Sequence, residues 1–409
     1  MKILFFYFFH WTLFGVLITC SVSSLWVDVF TEFAVDLSRA IDKASPEGNI
    51  LFSPLGGFVI LEMVKLGAKG QTLHQIKEAL KLQHNQECEV ISELKMLLAV
   101  ISEENKEFTF NLANALYLQE GFQVKEQYLH SNKHIFKSAI KLVDFQDTKV
   151  SVETINAWVQ MQTNGKISHM FLREDFSFLT KLVLVNAIYF KGEWKQKFNP
   201  ESTHTELFSV KRGLTTNVPM MHLQLTAKFG YFSTKNIRYK VLELPYKGDA
   251  FSLLLTLPAE DVLIVEFKKM LTASMIKAWV TEIKEELVEI SLPRFKIAHK
   301  IDLKSSLLNL NVTDIFNQDC DLSGITDSQN IYVSRVFQKT LIEINEEGTE
   351  AAASTGMQVA AMSMTNHSFV ANRPFLFFIR HIHSGAILFM GKVINPNMSD
   401  AKGRDVESL

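Results

Sequence analysis

Two histidines, His381 and His383, stand two residues apart at the end of an apolar run. That spacing would turn both imidazoles to one face of a strand and toward a metal ion. No third ligand lies near them in the sequence, so a pair of surface histidines is the stronger reading, and neither a metal nor a cofactor is expected. The chain has no Gly-x-Ser-x-Gly elbow, no Walker loop, no Gly-x-Gly-x-x-Gly, no His-Glu-x-x-His and no Cys-x-x-Cys. Its scattered Ser, His and Asp residues could meet as a hydrolase triad only through folding, and nothing in the sequence picks out such a set. An enzyme is not expected.

The informative stretch is one with almost no reactive chemistry. After Leu341-Ile342-Glu343-Ile344 and the polar Asn345-Glu346-Glu347-Gly348, the chain runs from Glu350 to Arg373 without an Asp, Glu, Lys or Arg between them, and without proline before Pro374. Solvent loops are usually polar and punctuated. Here the residues alternate: Thr349, Ala351, Ala353, Thr355, Met357 and Val359 are small or apolar, whereas Glu350, Ser354, Gly356 and Gln358 share the other parity. Such a segment can become a half-buried strand. Small inward side chains would let it enter between strands already in place, where bulk or charge would be costly. A low-complexity Ala/Ser linker is the competing reading of the segment taken alone.

The elements around this segment are legible from spacing. Phe33, Leu37, Ala40 and Ile41 share a helix face, as do Leu73, Ile76, Ala79 and Leu80. Apolar runs at 110–118, 182–190 and 251–257 read as strands buried on both faces, with a helix around Ile155–Val159 that stops at Asn164-Gly165. Runs at 375–379 and 387–390 flank His383-Ser384-Gly385 as a closing hairpin. The fold class is therefore mixed α and β, with large sheets and helices packed on them.

Of the 409 residues, 47% are hydrophobic and 21% charged, a globular balance, and no linker or repeat divides the chain. A single domain over 24–409 is expected. The net charge of −2 argues against a nucleic-acid partner. Lys65, Lys69, Lys77 and Lys81 form the nearest thing to a basic stripe; acidic neighbours make it a solvated helix face, with glycosaminoglycan binding the lesser reading. Residues 1–23, with Lys2, an apolar run and the small-residue end Cys20-Ser21-Val22-Ser23, read as a secretory signal peptide; the run is short for a membrane anchor and holds His10. A secreted, extracellular protein with no membrane partner is expected. Cys88 and Cys320 are too few and too far apart for a disulfide framework. Sequons at Asn311, Asn366 and Asn397 are candidate glycosylation sites.

Several motifs occur together and in order: Asn49-Ile50-Leu51-Phe52-Ser53-Pro54, Leu66-Gly67-Ala68-Lys69-Gly70, Asn111-Leu112-Ala113-Asn114-Ala115-Leu116-Tyr117, Asn186-Ala187-Ile188-Tyr189-Phe190-Lys191-Gly192-Glu193-Trp194, Leu244-Pro245-Tyr246, Glu346-Glu347-Gly348-Thr349-Glu350-Ala351-Ala352 and Arg373-Pro374-Phe375 with Phe389-Met390-Gly391. With them the chain resembles the serpin family over nearly its whole mature length. The resemblance implies a metastable fold of three β-sheets and about nine helices, with an exposed reactive-centre loop at about 346–368. It also implies a suicide-substrate inhibitor of a serine protease: the protease cleaves the loop, is held as an acyl-enzyme, and is trapped when the loop inserts into the main sheet.

Carried over residue by residue, the resemblance makes Glu346, Glu347, Gly348, Thr349, Glu350, Ala351, Ala352 and Ala353 the hinge. Counting forward from Glu346 puts the reactive bond at Met362 and Ser363; counting back from Pro374 puts the bait one residue later, on Ser363. The hinge count is preferred because insertion length is constrained on that side. Met362 would suit the apolar primary pocket of a chymotrypsin- or elastase-like protease. Trp194, Arg294 and Glu346 resemble the breach cluster where insertion begins, the Arg/Glu pair holding the top of the sheet closed. Ser53 and Asn186 resemble the shutter cluster beneath its centre. Gly56 and Gln338 depart from the Ser and His common there, which leaves the ease of sheet opening in question. The resemblance further implies a monomer able to form loop-sheet polymers. A secreted serpin that binds or carries a ligand without inhibiting is the alternative, which proline or charge at inward hinge positions would favour and against which Thr349, Ala351 and Ala353 speak.

Overall fold

The computed structural model describes residues 24–44, 48–83, 85–103, 107–349 and 367–398. The expected signal peptide, the hinge residues Glu350, Ala351, Ala352 and Ala353, the reactive bond Met362 and Ser363, and the sequon at Asn366 lie outside the described residues.

A six-stranded sheet organises the molecule. Its order is Phe295–Asp302, Val333–Asn345, Gly348–Thr349, Leu182–Glu193, Phe108–Gln119 and Ala139–Val143. The two-residue strand separates its neighbours only at one end. Below it, Val333–Leu341 pairs directly and in parallel with Leu182–Tyr189. A strand continuing from Gly348–Thr349 between the same two neighbours would have to part this parallel seam. The central strand is apolar without alternation because both of its faces are covered. On one face Tyr117, Val183, Val185 and Ala187 meet Ile155, Trp158 and Val159 of the helix Thr148–Gln162. That helix starts where Asp147 caps the Val150 amide and ends at Asn164 and Gly165, both at positive φ, as the spacing predicts.

The opposite face rests on the main core and the helix Pro54–Lys65, all of whose residues are buried. The remaining sheets form one hydrogen-bonded network of nine strands, because the 21-residue strand Leu214–Thr234 pairs with three neighbours along its length and so belongs to two sheet sections. The closing hairpin joins Phe375–His381 to Ile387–Val393 as expected. Nine α-helices stand among the described residues, and none of them is long and apolar enough to cross a membrane.

Two expectations need correction. The lysine stripe is a solvated face only in part: Lys69 is exposed, but Lys65 ends the buried helix Pro54–Lys65 with Nζ 2.8 Å from Glu62, and the partly buried Lys77 and Lys81 lie 2.6 Å from Glu87 and 2.6 Å from Asp36. His381 is not a surface residue. The hairpin folds it inward against the Phe251 ring, and its Nδ1 shares a 2.8 Å hydrogen bond with Ser384, while His383 is exposed. Cys88 is exposed and Cys320 partly buried; neither is in a disulfide, and burial pushes the Cys320 thiol up to about 11.

Burial, helped by the neighbouring His383 and Arg380 charges, holds His381 down at about 4, below its ordinary 6.5. The unfolded chain therefore binds a proton that the folded chain refuses between those values. Stability should be complete above about pH 6.5 and fall by roughly 2 kcal/mol between pH 7 and pH 5 from this residue alone. Thermal unfolding followed across that range should show the loss, and His381→Gln should flatten it; an unchanged slope in the variant would assign the acid sensitivity elsewhere.

Candidate functional site

Three regions along the seam carry the residues that the sequence singles out. At its top, Gly348 and Thr349 pair with Asn345 and Ile344 on one side and with Glu193 and Gly192 on the other, antiparallel to both. Thr349 is fully buried, its Oγ1 3.1 Å from the Tyr246 hydroxyl. It is the first residue of the small, apolar parity, and it already points inward. Gly348 has φ 137°, and a Cβ there would stand 2.2 Å from the Gly192 carbonyl oxygen, so only glycine fits this crossing.

Around this point Trp194 is buried, stacks on Tyr246 at 4.6 Å between centroids, and donates from Nε1 to the Asn345 carbonyl at 2.9 Å. The backbone amides of Trp194 and Phe198 donate to the carbonyls of Glu347 and Glu346. The Glu346 carboxylate accepts from Thr203 Oγ1 at 2.8 Å, whereas Arg294 reaches it only at 3.7 Å and is half exposed. An ion pair so placed contributes at most about 1 kcal/mol. The top of the sheet is thus closed by Trp194 and backbone pairing more than by the expected Arg/Glu pair. Glu347 also bonds Lys197, and that contact pushes the lysine ammonium above its usual range.

Beneath the centre of the seam lies a buried polar row. Asn114, Asn186 and Gln338 sit at matched positions on three adjacent strands. Asn186 Nδ2 donates to Asn114 Oδ1 at 2.7 Å, and Gln338 Nε2 donates to Asn186 Oδ1 at 2.8 Å. The same Gln338 amide grips the start of the helix below: Oε1 accepts from the Ser53 amide at 2.7 Å and Nε2 donates to the Ser53 carbonyl at 3.0 Å. Ser53 in turn caps that helix by accepting from the Gly56 amide, and donates to the Leu388 carbonyl at 2.5 Å. The two departures from the family pattern are therefore mutually adjusted. Gln338 supplies the buried donors and acceptor, and Gly56 leaves room for Asn186, whose Oδ1 would be 2.1 Å from any Cβ at position 56. Gly56→Ala should accordingly cost about 1–3 kcal/mol by displacing Asn186. Thermal unfolding measures this; a variant as stable as the parent would mean that Asn186 moves freely.

Of the sequence-derived residues, Glu346, Glu347, Gly348, Thr349, Trp194 and Arg294 meet at the top and Ser53, Gly56, Asn186 and Gln338 at the centre. Asn114, Tyr246, Thr203 and Lys197 were missed. An asparagine inside an otherwise apolar strand run was the available signal for Asn114; nothing local marks Thr203. Asn311 is exposed at a left-handed turn. Asn397 is exposed, but its Nδ2 donates to both Thr216 Oγ1 and the Asn217 carbonyl, one of which a glycan would displace.

The model of the family described as "Serpin (serine protease inhibitor)" matches residues 28–396. Human Serpin I2 is 54% identical over 402 residues, covering 98% of this chain and 99% of that one. Bovine leukocyte elastase inhibitor is 38% identical over 374 residues, covering 90% and 98%. Among solved structures, human thyroxine-binding globulin complexed with thyroxine aligns with a TM-score of 0.84 at 26% identity, covering 91% of this chain and 98% of that one.

Proposed function

Because this chain belongs to the serpin family, we propose that it is a secreted suicide-substrate inhibitor of a chymotrypsin- or elastase-like serine protease, cleaved between Met362 and Ser363. The observation that carries this reading is the seating of Gly348 and Thr349 between the two strands that a longer insertion would have to part. The residues that follow continue the same small, uncharged parity through Ala351 and Ala353. The similarity to a leukocyte elastase inhibitor fits an uncharged bait such as Met362.

Insertion would supply the driving force. Each residue added between the seam strands gains backbone pairing, and every second one buries an inward side chain. The hydroxyl of the protease serine attacks the Met362 carbonyl, the bond to Ser363 nitrogen breaks, and the new amino end departs with a proton. The acyl-enzyme then moves with the loop. In this reading the molecule is a monomer that leaves the cell by way of residues 1–23, is glycosylated first at the exposed Asn311, and can form polymers when one molecule's loop enters another's seam.

The test is incubation of the recombinant protein with chymotrypsin and with elastase, read on a denaturing gel. A covalent complex that survives denaturation, together with a nicked form that melts well above the intact one, is the expected result. Cleavage after Met362 that yields only free protease and nicked protein of unchanged melting temperature would overturn it and leave the carrier reading, of which the fold likeness to a thyroxine-binding protein is the precedent.

A further inference from the structure

The edge of the six-stranded sheet steps inward beside the helix Glu126–Phe136. Among the described residues the outermost strand, Ala139–Val143, pairs only with Ala115–Gln119, and Phe108–Asn114 has no strand on that side. The step leaves a cavity of about 560 Å³ that reaches the surface, with Leu112 and Asn114 among its lining. Its walls include the apolar groups of Leu129, Ile140 and Trp158, and three lysines line it: Lys133, Lys137 and Lys141. Leu129, Lys133 and Lys137 are exposed, and Lys141 Nζ lies 5.8 Å from the centre of the Trp158 ring. Among the described residues none of the three lysines forms an ion pair.

We infer that this groove binds an amphipathic organic anion, an apolar body carrying one carboxylate or sulfate. Three cationic groups without carboxylate partners, set around apolar side chains and a tryptophan, complement a negative head and a hydrocarbon body. The volume falls within the range of about 300–1,000 Å³ usual for small-molecule sites, which favours a single compact ligand over a length of partner chain. Lys133 and Lys137 would hold the head group while Leu129, Ile140 and Trp158 cover the body. The site is distinct from the seam but borders it through Asn114, whose Oδ1 accepts from Asn186.

The test uses the intact full chain and dodecanoate below its micelle concentration, with dodecanol and an oligo-glutamate peptide as comparisons, followed by calorimetric titration. One saturable dodecanoate site is expected, weakened about tenfold or more in Lys133→Gln/Lys137→Gln and equally for dodecanol on the parent protein. Because both lysines are exposed, the double variant should keep its melting temperature; Leu129→Asn probes the apolar wall separately and should also weaken dodecanoate. Absent saturation, equal binding by the double variant, or equal binding of dodecanol would overturn the inference. Tighter binding of oligo-glutamate than of dodecanoate would overturn it too, by making the groove a surface for an acidic protein partner.

Discussion

On the proposed mechanism, Thr349→Arg should turn an inhibitor into a substrate: the covalent complex is lost, the protease emerges active, and the loop is cut at the same bond. Thr349 is the first inward residue of the segment, fully buried against Tyr246 between two strands. A guanidinium has no carboxylate to meet inside the sheet, so in the uncut variant residue 349 leaves its seat, and returning it on insertion would cost several kcal/mol. Even about 2 kcal/mol on that barrier slows insertion roughly thirtyfold, enough for water to release the acyl-enzyme first. The seated hinge adds a second expectation. Since Thr349 is already inside the uncut protein, the variant should also melt lower before any protease is added. Quantifying complex against nicked protein on a gel, beside a melting curve of the uncut variant, tests both; full inhibition by Thr349→Arg would remove the basis for the proposed mechanism.

Gln338→Leu should be the most damaging change at the centre of the seam. It removes the acceptor of the Ser53 amide, a donor to the Ser53 carbonyl and the donor to Asn186 Oδ1, all within the buried interior. Leaving buried polar atoms unpaired costs about 1–3 kcal/mol each, so a loss of about 3 kcal/mol or more is expected. It also cuts the one side-chain bridge in this row that spans the Leu182–Glu193 and Val333–Asn345 strands, so the sheet should open more readily and oligomers should accumulate on warming. Gln338→His, which offers one donor and one acceptor, should recover part of the stability. Thermal unfolding and native gels of the two variants give the comparison; equal stability of parent and Leu variant would mean that the amide row is dispensable.

The strands were legible because apolar side chains repeat wherever a sheet is covered on both faces, and the helix ending at Asn164-Gly165 was legible from its turn residues. Alternation from Thr349 onward marked a segment able to become a half-buried strand, and Thr349, its first residue of the small, apolar parity, is buried in the sheet. What could not be read were contacts between remote segments. Gly56 looks like a lost hydroxyl in the sequence; only the approach of Asn186 explains why a side chain is excluded. Gln338 looks like a lost imidazole, yet its longer amide reaches Ser53 and Asn186 together. His381 was misread because alternation on a strand says which residues share a face and not whether a neighbouring ring covers it.

The orientation of the two seam strands has a consequence of its own. They run in the same direction, whereas Gly348–Thr349 runs against both. A longer intruder would therefore exchange one slanted interface for two perpendicular ones, the better-aligned geometry. That advantage is a matter of chain direction and is blind to side-chain identity on the outward parity. On the proposed mechanism, changes at the other-parity positions Ser354 and Gln358 would leave that gain in backbone pairing intact.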